Sequence, residues 1–285
     1  MNPPAAVTPL AIPESGPLFA GHFPGRPILP GIVLLHLALR ADPSGVAGAL
    51  IGIDMLRFRR LVLPGERLEV HRRTGDQPDR AALAVRRGDE RVAEAILRLG
   101  QAPVAQSGQV PPRDSLTAGH PFRPVGPIAP AATHPESVAP ATLLPHGSAA
   151  CFIESIHSEA TDGIVCAARV PDAHGLTVGE EAPALVAIEM AAQTAGVFEA
   201  RRRARTAGGM EPGIATEAGP RLGYLVGARD VRFARATLPA AAVCTAKVSL
   251  VGVAGALTSY EFEVRCDGGT LAAGRVSTWL TATTT

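Results

Sequence analysis

Residues 18–40 read LFAGHFPGRPILPGIVLLHLALR, and this stretch decides how the rest of the chain is read. Pro24, Pro27 and Pro30 fall within seven residues. Each locks its own φ, so the loop before residue 31 is stiff. Residues 32–41 are then apolar almost all round, which predicts a helix wrapped on most sides by other structure. A stiff loop can hold His22 at a fixed place and angle beside the start of that helix. Gly31 leaves room for a carbonyl to approach unpaired helix N–H groups, where a developing oxyanion would be stabilised. Histidine has the right affinity for a proton to act as a base near neutral pH. Alone, His22 would read as a loop histidine with a structural role; the whole segment favours a chemical one.

Working outward, residues 49–59, 67–74, 81–87 and 91–100 carry strand-like alternation. Residues 101–137 break the pattern. Eight prolines between Pro103 and Pro135 block both helix and sheet ladders, so this stretch is expected to link two units. Beyond it the plan repeats. A helix is expected from Pro183 to about residue 206, with Glu180 and Glu181 before it, arginines in its last turns and Gly208 and Gly209 after it. Strands are expected at 223–233, 243–253, 258–266 and 272–283. The reading is therefore three segments: residues 1–100, a linker at 101–137, and residues 138–285. One buried helix followed by antiparallel strands, twice over, is an α+β pattern.

Composition agrees with two packed units. Of 285 residues, 46% are hydrophobic, enough for two cores, but only 4% are aromatic, so the cores must be aliphatic. A net charge of +1 gives no global pull toward nucleic acid or anionic lipid. Two arginine clusters stand out, Arg57, Arg59 and Arg60, and Arg201, Arg202, Arg203 and Arg205. The plain reading is solvated charge; the sharper one is docking of an acidic carrier protein. Cys151, Cys166, Cys244 and Cys266 have no Cys-x-x-Cys spacing and are expected to be reduced. Residues 1–10 lack the pattern of a signal peptide, and the apolar runs are too short to span a bilayer, so a cytoplasmic protein is expected.

Gly21-His22-Phe23-Pro24, Pro27, Pro30 and Gly31 resemble the signature of the β-hydroxyacyl-ACP dehydratases of the FabA/FabZ type. Arg57-Phe58 and Leu63-Pro64-Gly65-Glu66-Arg67-Leu68 extend the resemblance over most of residues 12–100. The resemblance implies a hotdog fold, here a double hotdog, in which a long helix lies in a curved antiparallel sheet. It also implies removal of water from a 3-hydroxyacyl thioester carried on the phosphopantetheine of an acyl carrier protein, with no metal or redox cofactor. His22 would be the catalytic base, and Phe23, Pro30 and Gly31 would bind substrate.

The family places a carboxylate six residues after the last proline of its motif. Here that position is His36, with Arg40 one turn on. The second unit supplies the missing group. Six residues after Pro183 comes Glu189, and four further comes Gln193, in ALVAIEMAAQTAG, which resembles the family's Glu and Gln helix. A carboxylate in such an apolar stretch is costly unless it is paired or at work. The second unit lacks the His-Phe-Pro segment. His174 stands nine residues before Pro183 without matching prolines, and His146, in Leu143-Leu144-Pro145-His146, reads as structural. Gly223-Tyr224-Leu225-Val226-Gly227 with Arg229 resembles the dehydratase-like partner subunit of aryl-polyene clusters. The expectation is one composite site with His22 and Glu189 catalytic and Gln193 binding substrate, plus an inactive pseudo-site with His36 and His174. An acyl thioesterase and a non-catalytic acyl-binding scaffold are the alternatives. Acyl chain length and any further pairing of fused chains are not legible in the sequence.

Overall fold

A computed structural model describes residues 6–45, 50–74, 77, 79–100, 140–172, 174–207 and 223–281. The expected linker lies outside the described residues. The first half runs β1 (Ala6–Ala11), α1 (Gly31–Ala41), β2 (Leu50–Phe58), β3 (Arg67–Thr74), β4 (Arg80–Arg87) and β5 (Glu90–Leu99). The second half runs β6 (Ile153–Ala160), β7 (Gly163–Ala168), β8 (Glu181–Pro183), α2 (Val186–Ala207), β9 (Gly223–Phe233), β10 (Thr237–Pro239), β11 (Cys244–Ala254), β12 (Leu257–Cys266) and β13 (Gly269–Leu280). A single helical turn, Pro140–Leu143, precedes β6.

Eleven strands form one antiparallel sheet in the order β1-β3-β4-β5-β2-β9-β13-β12-β11-β7-β6. Matching the halves about the β2–β9 seam sets β2 against β9, β5 against β13, β4 against β12, β3 against β11 and β1 against β7. The chain thus contains its own pseudo-dimer, a double hotdog. Alternation drives the register: along β12 every second residue is buried, ending at Tyr260, Phe262, Val264 and Cys266. The buried face packs on α2, whose Val186, Ala187, Ile188, Met190 and Ala191 are sealed from solvent.

The seam is continuous β-pairing. Ile53 faces Val231 and Leu56 faces Ala228 across β2 and β9. Charge reinforces it on one side: Asp54 of β2 pairs with Arg232 of β9 at 3.1 Å, with Arg98 of β5 at 3.1 Å and with Arg80 of β4 at 3.2 Å. Three guanidiniums around one carboxylate tie four strands together.

Four details depart from the sequence reading. Pro183 does not open the second helix; it ends β8, which pairs with β10, and regular helix begins at Val186. Glu181, expected to precede a helix as its acidic flank, is likewise a β8 residue. The edge strands β1 and β6, and β7 beside β6, are additions that the alternation did not reveal. The cysteines are not all reduced: Cys244 and Cys266 form a disulfide. They are directly opposed on β11 and β12 with Cα atoms 4.4 Å apart, the spacing of a close antiparallel pair, which no sequence motif encodes. Cys151 and Cys166 are free.

Candidate active site

His22 sits where two loops are stitched together. Its backbone N–H donates to Phe19 O, and Ile28 N donates back to His22 O. The side-chain Nδ1 lies 3.0 Å from Ile28 O. A carbonyl only accepts, so Nδ1 carries the hydrogen and the neutral ring presents its Nε2 lone pair as a base. Phe23 stacks on the ring at 4.1 Å between centroids. It backs His22 and does not line the cavity, so its expected contact with substrate becomes a supporting one. Burial lowers the pKa of His22, partly opposed by the negative charge of Glu189 and by the hydrogen bond to Ile28.

The neighbouring loop comes from the second half. Gly147 N donates to Gly21 O at 2.8 Å. Gly21 has φ +75°, and a Cβ there would meet Gly147 O at 2.9 Å, so both the turn and the close approach need glycine. The contact brings His146 against the site. Its ring lies 5.3 Å from that of His22 and 5.0 Å from that of Phe23.

Glu189 and Gln193 project from α2. Gln193 is fully committed: its Nε2 donates to Ala150 O at 2.8 Å and to Glu189 Oε1 at 3.0 Å, and its Oε1 accepts from Phe152 N at 2.8 Å. Buried and doubly anchored, it holds the carboxylate of Glu189 in one orientation. The Nε2 of His146 is 3.9 Å from the same Oε1.

Two cavities meet at this pair. The larger, of about 90 Å³, is lined by His22, Gly31, His146, Glu189 and Gln193, and Leu34, Leu144, Val62, Leu225, Arg60 and Arg203 also stand in its wall. The smaller, of about 10 Å³, is bounded by His22, Pro30, Phe152, His174, Leu176 and Glu189. His22 from the first half and Glu189 from the second therefore border the same space. Gly31 starts α1 beside it, and its hydrogen-only side faces Phe58, whose ring a Cβ would meet at 2.7 Å.

The pseudo-site is corrected. His36 is half-buried on α1 and lines neither cavity; burial and the Arg40 charge lower its pKa. His174 does not join it. Turn hydrogen bonds, His174 N to Pro171 O and Thr177 N to His174 O, fold its loop over the first half, where Gly175 packs on Leu18. His174 thus lies in the wall shared with His22 and Glu189, with a pKa pushed down to about 4 by burial and by His22. His146, read as structural, also belongs to this cluster. Its signal in the sequence was the Pro145-His146-Gly147 run, whose meaning depends on Gly21 lying opposite. Among the described residues no group of three or more His, Cys, Asp and Glu is placed to hold a metal ion, and no helix is long and apolar enough to cross a membrane.

Two family models match different parts of the chain. Residues 3–95 match the ApeI-like family model, ApeI dehydratase, and residues 138–284 match the ApeP-like model, ApeP dehydratase. The 3-hydroxyacyl-[acyl-carrier-protein] dehydratase FabZ of Myxococcus xanthus is 42% identical over 65 residues, 19% of this chain and 42% of the relative. The chain spans less than half the length of that relative. Among solved structures, the dehydratase domain of PpsC from Mycobacterium tuberculosis aligns over 97% of this chain and 94% of its own, with TM-score 0.60 and 17% identity. A protein from Novosphingobium aromaticivorans described as a putative thioesterase aligns over 97% and 96%, with TM-score 0.59 and 16% identity. At such identities these two show the fold alone. The chain belongs to the ApeP-like dehydratase family, with an ApeI-like dehydratase unit ahead of it in the same polypeptide.

Proposed function

We propose that this chain removes water from 3-hydroxyacyl thioesters borne by an acyl carrier protein, giving trans-2-enoyl thioesters in fatty acid or polyketide synthesis of the aryl-polyene type. The observation that carries the reading is the meeting of His22 and Glu189, from opposite halves, at the wall of one cavity. The Nε2 lone pair of His22 takes the C2 proton. The thioester oxygen gains charge and is met by the N–H groups that open α1 at Gly31. The C2–H electrons become the C2=C3 double bond as the C3–O bond breaks, and the carboxyl of Glu189 gives its proton to the departing hydroxyl. His22 then returns the proton to Glu189, so atoms and charge balance without a metal or redox cofactor. Gln193 orients the carboxyl throughout. Carrier-borne acyl chains are extended in the cytoplasm, which is where this reading places the protein, with the carrier as its partner.

The test is incubation with a panel of 3-hydroxyacyl carrier proteins and mass spectrometry of the acyl group. Loss of the mass of one water is expected. Release of free acid would favour a thioesterase, and neither product would favour an acyl-binding scaffold.

A further inference from the structure

Beside Glu189 stands a histidine, His146, for which the dehydration scheme has no use. The His146 side chain is 8% exposed, and its buried Nδ1 has no hydrogen-bond partner. Buried imidazole nitrogens are normally satisfied, so a bare one calls for a reason. The groups facing it are few. Phe23 and His22 pack against the ring, and Glu189 Oε1 stands 3.9 Å from Nε2. A lone pair left bare costs less than an N–H left bare beside a carboxylate, so the hydrogen belongs on Nε2, aimed at Glu189.

We infer that His146 is a positioning residue that donates its Nε2–H to Glu189 Oε1 and, with Gln193, fixes which carboxyl oxygen faces the substrate. This rests on the dehydratase reading above. Gln193 already occupies one direction at Oε1, at 3.0 Å. A second donor from His146 needs only a small rotation of the carboxyl, and such contacts commonly tighten when substrate binds. With both donors on Oε1, Oε2 is the oxygen turned toward the substrate. Burial and the charge of His22 push the His146 pKa down to about 3, so the ring stays neutral and keeps a single hydrogen. A neutral ring with a single N–H can serve as a donor to the carboxyl without adding charge to the site.

Nitrogen NMR of the histidine-labelled protein, with the His146 signal assigned from His146→Gln, reads the tautomer directly. The neutral Nε2–H form is expected. The Nδ1–H form would overturn the inference whatever the activity, since no donor would then face Glu189. Kinetics give a second arm. His146→Leu keeps the volume and removes the donor, and kcat should fall roughly tenfold to a hundredfold with KM within about twofold. His146→Gln restores an N–H near the same place and should recover most of the rate. Equal loss in both variants would reduce His146 to a packing role and overturn the inference. A wild type that removes no water would defeat the dehydratase reading instead, and the tautomer result would stand apart from it.

Discussion

Ile53 of β2 and Val231 of β9 face each other across the seam between the two halves, and each is 0% exposed. The seam is thus part of one core, and its energetics are those of an interior. Ile53→Ala should cost about 2–5 kcal/mol. Calorimetry should show one transition at lower temperature. Two separate transitions, with only one of them shifted, would show that the halves melt independently.

On the proposed dehydration, the wall shared by His22 and Glu189 needs both side chains. His22→Ala and Glu189→Gln should each lower kcat by about 10²–10⁴ with circular dichroism unchanged. His36→Ala, on α1 but away from both cavities, should stay within about twofold in turnover assays. A large loss there would mean that a second centre contributes.

Acid should act on rate and stability separately. Because burial lowers the pKa of His22, the base stays neutral below the ordinary histidine range. The acid limb of kcat/KM should therefore lie below about pH 6.5. For stability the sign follows from proton uptake. His146 and His174 titrate at about 3 and about 4 when folded, against about 6.5 unfolded. Above about 6.5 both states are neutral. Between about 6.5 and 4 the unfolded chain binds protons that the folded chain refuses, so stability is lost as pH falls. The Tm should drop steadily from pH 7 to 4.5, and His174→Gln should flatten the slope. An unchanged slope in that variant would mean that other groups govern acid unfolding.

Gly31 has no room for a side chain, because Phe58 lies 2.7 Å from where a Cβ would stand. Gly31→Ala should displace the start of α1 and lower kcat/KM about tenfold or more. Adding Phe58→Leu should return part of the loss. If the double variant is no better than the single one, crowding by Phe58 is not the cause.

Much of this arrangement is legible in the sequence, for identifiable reasons. The prolines around His22 constrain the chain locally, and α1 and the inner strands are periodic because both walls of the core press on them. The bounds of β3 and β9 coincide with those expected from alternation alone. Edges are different. β1 buries only Leu10 well, and β6 only Ile153, so neither leaves a periodic trace. Counting from Pro183 reached Glu189 even though Pro183 lies in β8, since spacing along the chain survives a change in local backbone. The positions of His174 and His146 are not legible in the sequence, because they depend on contacts of their loops with Leu18 and Gly21, more than a hundred residues away. The Cys244–Cys266 link is equally non-local, a product of β11–β12 register.

The single polypeptide that carries both halves has a consequence for how the protein behaves at low abundance. Two separate subunits sharing a site must first meet, and the fraction assembled falls with dilution. A covalent tether replaces that encounter with an effective concentration that does not depend on how dilute the protein is. Dilution therefore cannot part His22 from Glu189, and the stoichiometry of the two halves is one to one by synthesis. Each molecule made is a complete pair, however few are present.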